Sequence, residues 1–346
     1  MRVLLTGSAG FIGGAIARRL ATDGHEVVGV DLMLPQAHGA LEAPPGTHQL
    51  DVRDAPDWVD LLRGIDVVCH QAAMVGAGTD AADLPTYAMH NDLGTAALLA
   101  AMHTAGVRRL VLASSMVVYG EGRYSCSEHG LQVPPPRRAD DLRTGSFENR
   151  CAVCGNELAW QLVPEDAPLD PRSSYAASKV AQEHYASAWA RQAGGRVVAL
   201  RYHNVYGPGM PRDTPYSGVA AMFRSSLERG ESPQVYEDGG QLRDFVHVDD
   251  VARANALAIA ATSDGPDGLD AYNVCSGTPV TISEVAGLVA RGSGSDLLPE
   301  VTGAHRLGDV RHVVASPSRA LIELGFRASI GPATGLPDFA TAPLRS

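Results

Sequence analysis

Two short stretches of this 346-residue chain carry residue types at spacings that do chemistry. In YAASK, Tyr175 and Lys179 stand at i and i+4, hence on one face of a helix. A phenol is a useful base only when its pKa of about 10 is lowered, and a neighbouring ammonium favours the phenolate. The same ammonium can hydrogen-bond a ribose hydroxyl. Lys179 is the only lysine among 28 basic residues, the rest being arginine, which marks a position where a flexible ammonium is needed. Ser115 ends the apolar run LVLASS and can hydrogen-bond a reacting hydroxyl or carbonyl. Alone, an i,i+4 Tyr–Lys pair is ordinarily a surface pair. A glycine loop and a strand-end serine in the same chain turn the reading toward catalysis.

That loop is Gly7, Gly10 and Gly13, spaced G-x-x-G-x-x-G between an apolar strand and a helix. The glycines allow a tight turn and close backbone approach to a pyrophosphate, which meets the free N–H groups and dipole of the helix N-terminus. The strand–turn–helix context lifts the motif above a bare glycine turn. Asp31 closes the second strand, where a carboxylate accepts both ribose hydroxyls of NAD and repels the 2′-phosphate of NADP. The following LMLPQAHG brings no arginine to such a phosphate, so NAD is expected over NADP. Asp51 and Val52 end the third strand, where the acid can meet an adenine amino group or simply cap a helix.

The second stretch is CAVCG at 151–155, paired with CSEHG at 126–130. Together they read C-x2-H-x21-C-x2-C, each half followed by glycine. Cys126, His129, Cys151 and Cys154 form a tetrahedral zinc set of the ribbon type, with no open position and therefore a structural metal. A Cys151–Cys154 redox pair and chance placement are the rival readings; the redox pair leaves Cys126 and His129 unexplained. Cys69 and Cys275 lie in apolar runs and read as buried small hydrophobes.

The elements that must hold these groups follow a regular alternation. RVLLTG, HEVVGVD, THQLDVRD, DVVCHQAA, RLVLASS and RVVALRYHNVYG read as strands. The helical patterns are FIGGAIARRLATDG, WVDLLRG, NDLGTAALLAAMHTAG and SYAASKVAQEHYASAWARQAG. This order specifies an α/β doubly wound parallel sheet of the Rossmann kind with a smaller substrate lobe. The expected division is a dinucleotide domain over 1–204, a zinc-stapled insertion at about 123–165, and a return to the main sheet over 244–275. The lobe takes 205–243 and 276–346. FVHVDDVARANALAIAA reads as a strand and helix rejoining the main sheet, and the final GPATGLPDFATAPLRS as a poorly ordered end. Within 123–165 periodicity fails, and a loop that long needs its own staple. The net charge of −11 argues against nucleic acid and anionic membranes. The glycine-broken N-terminus is too short for a signal peptide or membrane span, so a soluble cytoplasmic protein is expected.

Several motifs recur in order along nearly the whole chain: TGSAGFIG, HQAA at 70–73, NDLGT at 91–95, SSMVVYG at 114–120, YAASK, RYHNVYGP at 201–208, RDFVHVDD at 243–250 and RLGD at 306–309. On them the chain resembles an extended short-chain dehydrogenase/reductase of the sugar-nucleotide epimerase/dehydratase family. The resemblance implies Ser115, Tyr175 and Lys179 as the catalytic triad. It implies NAD contacts at Gly7, Gly10, Phe11, Ile12, Gly13, Asp31, Asp51, Val52, Ala72, Ala73 and Asn91, besides Tyr175 and Lys179. It assigns a nucleotide-sugar substrate to Ser115, Asn204, Tyr236, Arg243 and Arg306, the two arginines suiting a diphosphate; a solvated surface charge is the bland reading of each. A homodimer through helices 91–106 and 175–193 is also implied. The family's dehydratases and decarboxylases carry an acid just after the serine, whereas this chain has Met116 and Val117. Elimination needs a general acid, so 4-epimerisation is favoured, with a 4-ketoreductase or dehydrogenase as alternative and a non-catalytic binding protein as a remote one. QAHG at 36–39, MVGAGTD at 74–80, PYSGV at 215–219, GDVRH at 308–312 and the cysteine insertion are similar to 4-epimerases of the dTDP-L-rhamnose and UDP-glucose type.

Overall fold

A computed structural model describes residues 1–39, 42–78, 80–212 and 218–345, so PYSGV lies largely outside the described residues. The chain opens with β1 (Arg2–Thr6), β2 (Glu26–Asp31), β3 (Thr47–Gln49), β4 (Val67–His70) and β5 (Arg109–Ser115). The insertion adds β6 (Arg123–Cys126), β7 (Gly130–Gln132) and β8 (Ala159–Gln161), after which come β9 (Arg196–Tyr202) and β10 (Asn204–Tyr206). The last strands are β11 (Gln234–Val235), β12 (Leu242–His247), β13 (Gly268–Val274), β14 (Pro279–Thr281) and β15 (Glu300–Val301).

Seven strands form one parallel sheet in the order β13-β9-β5-β4-β1-β2-β3, the doubly wound topology expected. Its strands are apolar runs because both faces are covered. Val3 and Leu5 pack on one side with the helices Phe11–Thr22 and Val248–Ala261, whereas Leu4 points to the other side and Leu98, Met102 and Trp189. Full burial of each such side chain contributes about 1.5–3 kcal/mol. The strand order reverses between β1 and β4, which opens a crevice at their C-terminal ends. Among the described residues no helix is long and apolar enough to cross a membrane.

Five expectations are corrected. RVVALRYHNVYG is two strands: β9 stays in the main sheet, and after His203 the chain enters β10, which pairs with β12. β12 therefore belongs to a small sheet, β10-β12-β14, and the strand that rejoins the main sheet is β13. The aperiodic insertion holds an antiparallel sheet, β7-β6-β8, too short for strand periodicity to register. The final segment is ordered: helix Pro332–Phe339 buries Leu336 and Phe339 in the lobe. Nor does 276–346 belong wholly to the lobe, because Ala320, Leu324 and Phe326 pack into the main-sheet core.

Candidate active site

The turn from β1 into the helix Phe11–Thr22 rests on Gly7 at φ +68 and on Gly13, where a Cβ would stand 2.0 Å from the Gly7 carbonyl oxygen. Only glycine permits that approach of helix to loop. The helix is capped by Gly10 with no side-chain hydrogen bond, so its first N–H groups remain available to an anion. They line a cavity of about 400 Å³ that runs along the C-terminal edge of the sheet. Gly7, Gly10, Phe11, Ile12, Gly13, Asp31, Asp51, Val52, Ala72, Ala73, Tyr175, Lys179 and Asn204 all contribute to its wall, as the sequence predicts.

Asp31 is held ready at the base of this cavity. Its carboxylate accepts the backbone N–H of Ala9 (3.0 Å) and Met33 (2.9 Å) and lies 3.2 Å from Nε2 of His38. Burial opposes ionisation, but the hydrogen bonds from His38 and Met33 outweigh it and hold the pKa below the usual carboxylate value. Met33 takes a left-handed φ of 56, a strained backbone placed where it orients this acid. Asp51 both lines the cavity and caps the helical run Val52–Leu62, accepting the Arg53 N–H at 2.8 Å and its Nη2 at 2.5 Å. Asn91 departs from expectation. Fully buried behind the cavity, it clamps Met74 through its N–H and carbonyl (2.7 and 2.9 Å) and donates to Ser178 Oγ at 2.8 Å. Both amide hydrogens are spent on these partners and the side chain does not line the cavity, so it positions the wall.

Tyr175 and Lys179 come from helix Ser174–Ala193, which starts at the Ser173 cap and ends at Gly194 in the left-handed region. Ser115, at the end of β5, stands beside the Tyr175 phenol, although it does not itself line the cavity. Burial raises the phenol pKa, and the Ser115 contact lowers it. Lys179 Nζ stands 5.8 Å from the Tyr175 ring centroid and donates to the Ala113 carbonyl at 2.9 Å. In this arrangement burial holds the phenol pKa well above its ordinary value and the lysine does not offset it: its charge is turned to β5. Burial pushes Lys179 itself down to about 8. Glu183, one turn further along the same face, went unpredicted; it accepts Ser114 Oγ at 2.5 Å and both Nε and Nη2 of Arg201 (2.9 and 2.7 Å).

The substrate-side residues are less gathered. Asn204 reaches the cavity, and its Oδ1 is buried without a hydrogen-bond partner. Arg243 does not line the cavity; its guanidinium donates to the carbonyls of Leu242 (2.8 Å), Arg311 (2.8 Å) and Val310 (2.7 Å). No carboxylate pairs with it among the described residues. Arg306 is exposed and lies 5.1 Å over the Tyr236 ring. Arg345 was missed entirely. It lines the cavity and donates to the carbonyls of Ala9 (2.7 Å) and Ala37 (2.6 Å), so an arginine does stand near Asp31, contrary to the local sequence.

In the insertion, one ligand atom from each of Cys126, His129, Cys151 and Cys154 lies within 4.8 Å of the others. Cys126 Sγ is 3.5 Å from His129 Nδ1 and 3.6 Å from Cys154 Sγ. Gly130 and Gly155 turn with φ of 66 and 75, and the backbone amides of Glu128 and Asn156 point at sulfur. The Glu128 amide and the His129 contact hold the Cys126 thiol down at about 6. This donor set fits a tetrahedral soft metal. Cys69 and Cys275 are buried apart from it, as expected.

Residues 3–139 and 151–275 match the family described as NAD dependent epimerase/dehydratase, and the break between the two stretches falls inside the insertion. The chain is 33% identical over 336 residues to a dTDP-L-rhamnose 4-epimerase of Burkholderia thailandensis, covering 94% of this chain and 90% of that one. It is 31% identical over 346 residues to a UDP-glucose 4-epimerase of Mycolicibacterium smegmatis, covering 97% and 96%. Among solved structures, a Thermus thermophilus UDP-glucose 4-epimerase in complex with NAD superposes with a TM-score of 0.74 at 33% identity, over 98% of each chain.

Proposed function

The chain belongs to the NAD dependent epimerase/dehydratase family, and from that premise we propose an NAD-dependent nucleotide-sugar 4-epimerase acting on a dTDP- or UDP-linked hexose or deoxyhexose. The observation that carries the reading is the convergence of Tyr175 and Lys179 on a dinucleotide cavity, with Ser115 beside the phenol and Met116 and Val117 where an eliminating enzyme needs an acid. NAD bound there supplies reversible hydride acceptance from a carbinol carbon. Tyr175 takes the C4 hydroxyl proton and returns it once the opposite face of the sugar is presented. Ser115 hydrogen-bonds the same oxygen and lowers the barrier to phenolate formation. Lys179 holds the nicotinamide ribose, and Arg243 and Arg306 grip the diphosphate while the sugar turns, with Asn204 and Tyr236 beside them.

The residues Cys126, His129, Cys151 and Cys154 hold a structural zinc that staples the insertion and touches no reacting atom. A homodimer through the helical layer that carries exposed Leu84, Met89, Leu93 and Tyr185 accounts for that apolar surface. Purified protein carrying its own NAD interconverts two C4 epimers of a UDP- or dTDP-sugar with nothing added. Stoichiometric consumption of added NADH replaces this reading with a 4-ketoreductase. Metal analysis of undenatured protein yields close to one zinc per chain; less than about half removes the metal assignment.

A further inference from the structure

The insertion is tied to the substrate lobe by a partly buried ionic brace. Glu148 stands three residues before Cys151. Its Oε1 accepts Nε and Nη2 of Arg311 at 2.9 and 2.5 Å, and its Oε2 lies 2.9 Å from His312 Nε2. Burial works against its charge, yet the bonds from His312 and Arg311 hold the carboxyl down at about 2. Arg311, only 2% exposed, reaches on to Glu237 and Asp238 of the lobe, each at 2.8 Å. The backbone of the same segment is also held from the insertion's side. Tyr124, two residues before Cys126, accepts the His312 N–H at 3.0 Å, and Glu121 accepts both the Arg311 N–H (2.9 Å) and Asn149 Nδ2 (3.0 Å). The carbonyls of Val310 and Arg311, together with that of Leu242, fix the Arg243 guanidinium.

The cluster joins this brace through three residues of backbone from Cys151 to Glu148 and through Tyr124, which packs against Cys126 and Cys151; from there hydrogen bonds run through Arg311 and His312 to the arginine proposed above to grip the diphosphate. We propose that the metal module sets nucleotide-sugar affinity, with Glu148 as the positioning residue that transmits its order through Arg311 to Arg243. This rests on the nucleotide-sugar reading of Arg243. The NAD cavity shares none of these contacts, so a loss along the brace weakens the nucleotide and spares the dinucleotide.

The test measures binding of UDP and dTDP by calorimetry to the wild type and to Glu148→Ala, each zinc-loaded and chelator-stripped, with bound zinc and bound NAD counted in every sample. Stripping the wild type and mutating Glu148 each lower nucleoside diphosphate affinity about ten-fold. Combined, they cost no more than either alone, because both cut one path. Zinc stays in loaded Glu148→Ala, NAD stays in all four samples, and Glu148→Gln, which keeps an acceptor oxygen, recovers part of the affinity. Undiminished affinity in either single perturbation, multiplying losses, or release of NAD alongside nucleotide overturns the inference. A wild type that binds neither UDP nor dTDP overturns the functional reading beneath it.

Discussion

The wall of the dinucleotide cavity and the heart of the insertion are made of different material. Around the cavity the shape comes from backbone: the Gly7–Gly13 turn, the uncapped helix start, and the amides of Ala9 and Met33 that hold Asp31. In the insertion the elements are short, three strands and the helix Ala139–Arg143, and its small core is Tyr124, Cys126, Cys151 and Leu158. There the shape comes from side chains, four at the cluster and Glu148, Arg311 and Arg137 at the seam, where Arg137 pairs with Glu237 at 2.8 Å. A backbone-built site tolerates most changes of side chain; a side-chain-built one fails when a single partner is removed, because the group left behind is buried and unpaired.

The largest effect comes from the one place where the backbone-built region depends on a side chain. Tyr175→Phe removes the phenol beside Ser115 and lowers epimer interconversion by about 10²–10⁴-fold, while NAD content after gel filtration stays at the wild-type level. Unchanged turnover removes Tyr175 from the mechanism and with it the contrast drawn here.

An intermediate effect tests the other region. Cys151→Ser takes one of four ligands from the cluster, so zinc falls below half occupancy and Tm drops by roughly 5–10 °C. Protease cuts then appear within 123–165 first, and NAD remains bound. If NAD leaves with the metal, the two regions are one cooperative unit and the contrast breaks.

The smallest effect sharpens the contrast by pH. Burial lowers the Lys179 pKa from 10.5 to about 8. A cation whose folded pKa lies below its unfolded one binds fewer protons when folded, so between about 8 and 10.5 stability rises with pH, and below 8 its full cost is present. Lys179→Met therefore stabilises the NAD-free protein at pH 7, by on the order of 2 kcal/mol, and the gain shrinks toward pH 10. The variant is inactive. Thermal melts across that range decide it; a destabilised variant at pH 7 means that the Ala113 hydrogen bond outweighs the burial of charge.

How much of the site was legible follows from sequence distance. The glycine turn, the strand-end Ser115 and the Tyr175–Lys179 face each lie within one turn or one strand–helix junction, where the spacing of residues fixes their geometry. That Cys126, His129, Cys151 and Cys154 cluster was readable because each half of the set is a two-residue knuckle with its own glycine. Asn91 was misread because its place in a family motif says nothing about which way its amide faces; Met74 and Ser178 decide that.

The sequence by itself thus determined the parallel sheet, the dinucleotide turn, the shared helix face of Tyr175 and Lys179 and the cysteine–histidine cluster, all products of local periodicity and backbone sterics. Only the tertiary structure decided that β12 leaves the main sheet, that Arg345 arrives beside Asp31 from 336 residues beyond Ala9, and that Glu148 meets Arg311 across 163 residues. Such contacts are chosen by which buried charges must find a partner once the lobe and insertion have folded onto the sheet.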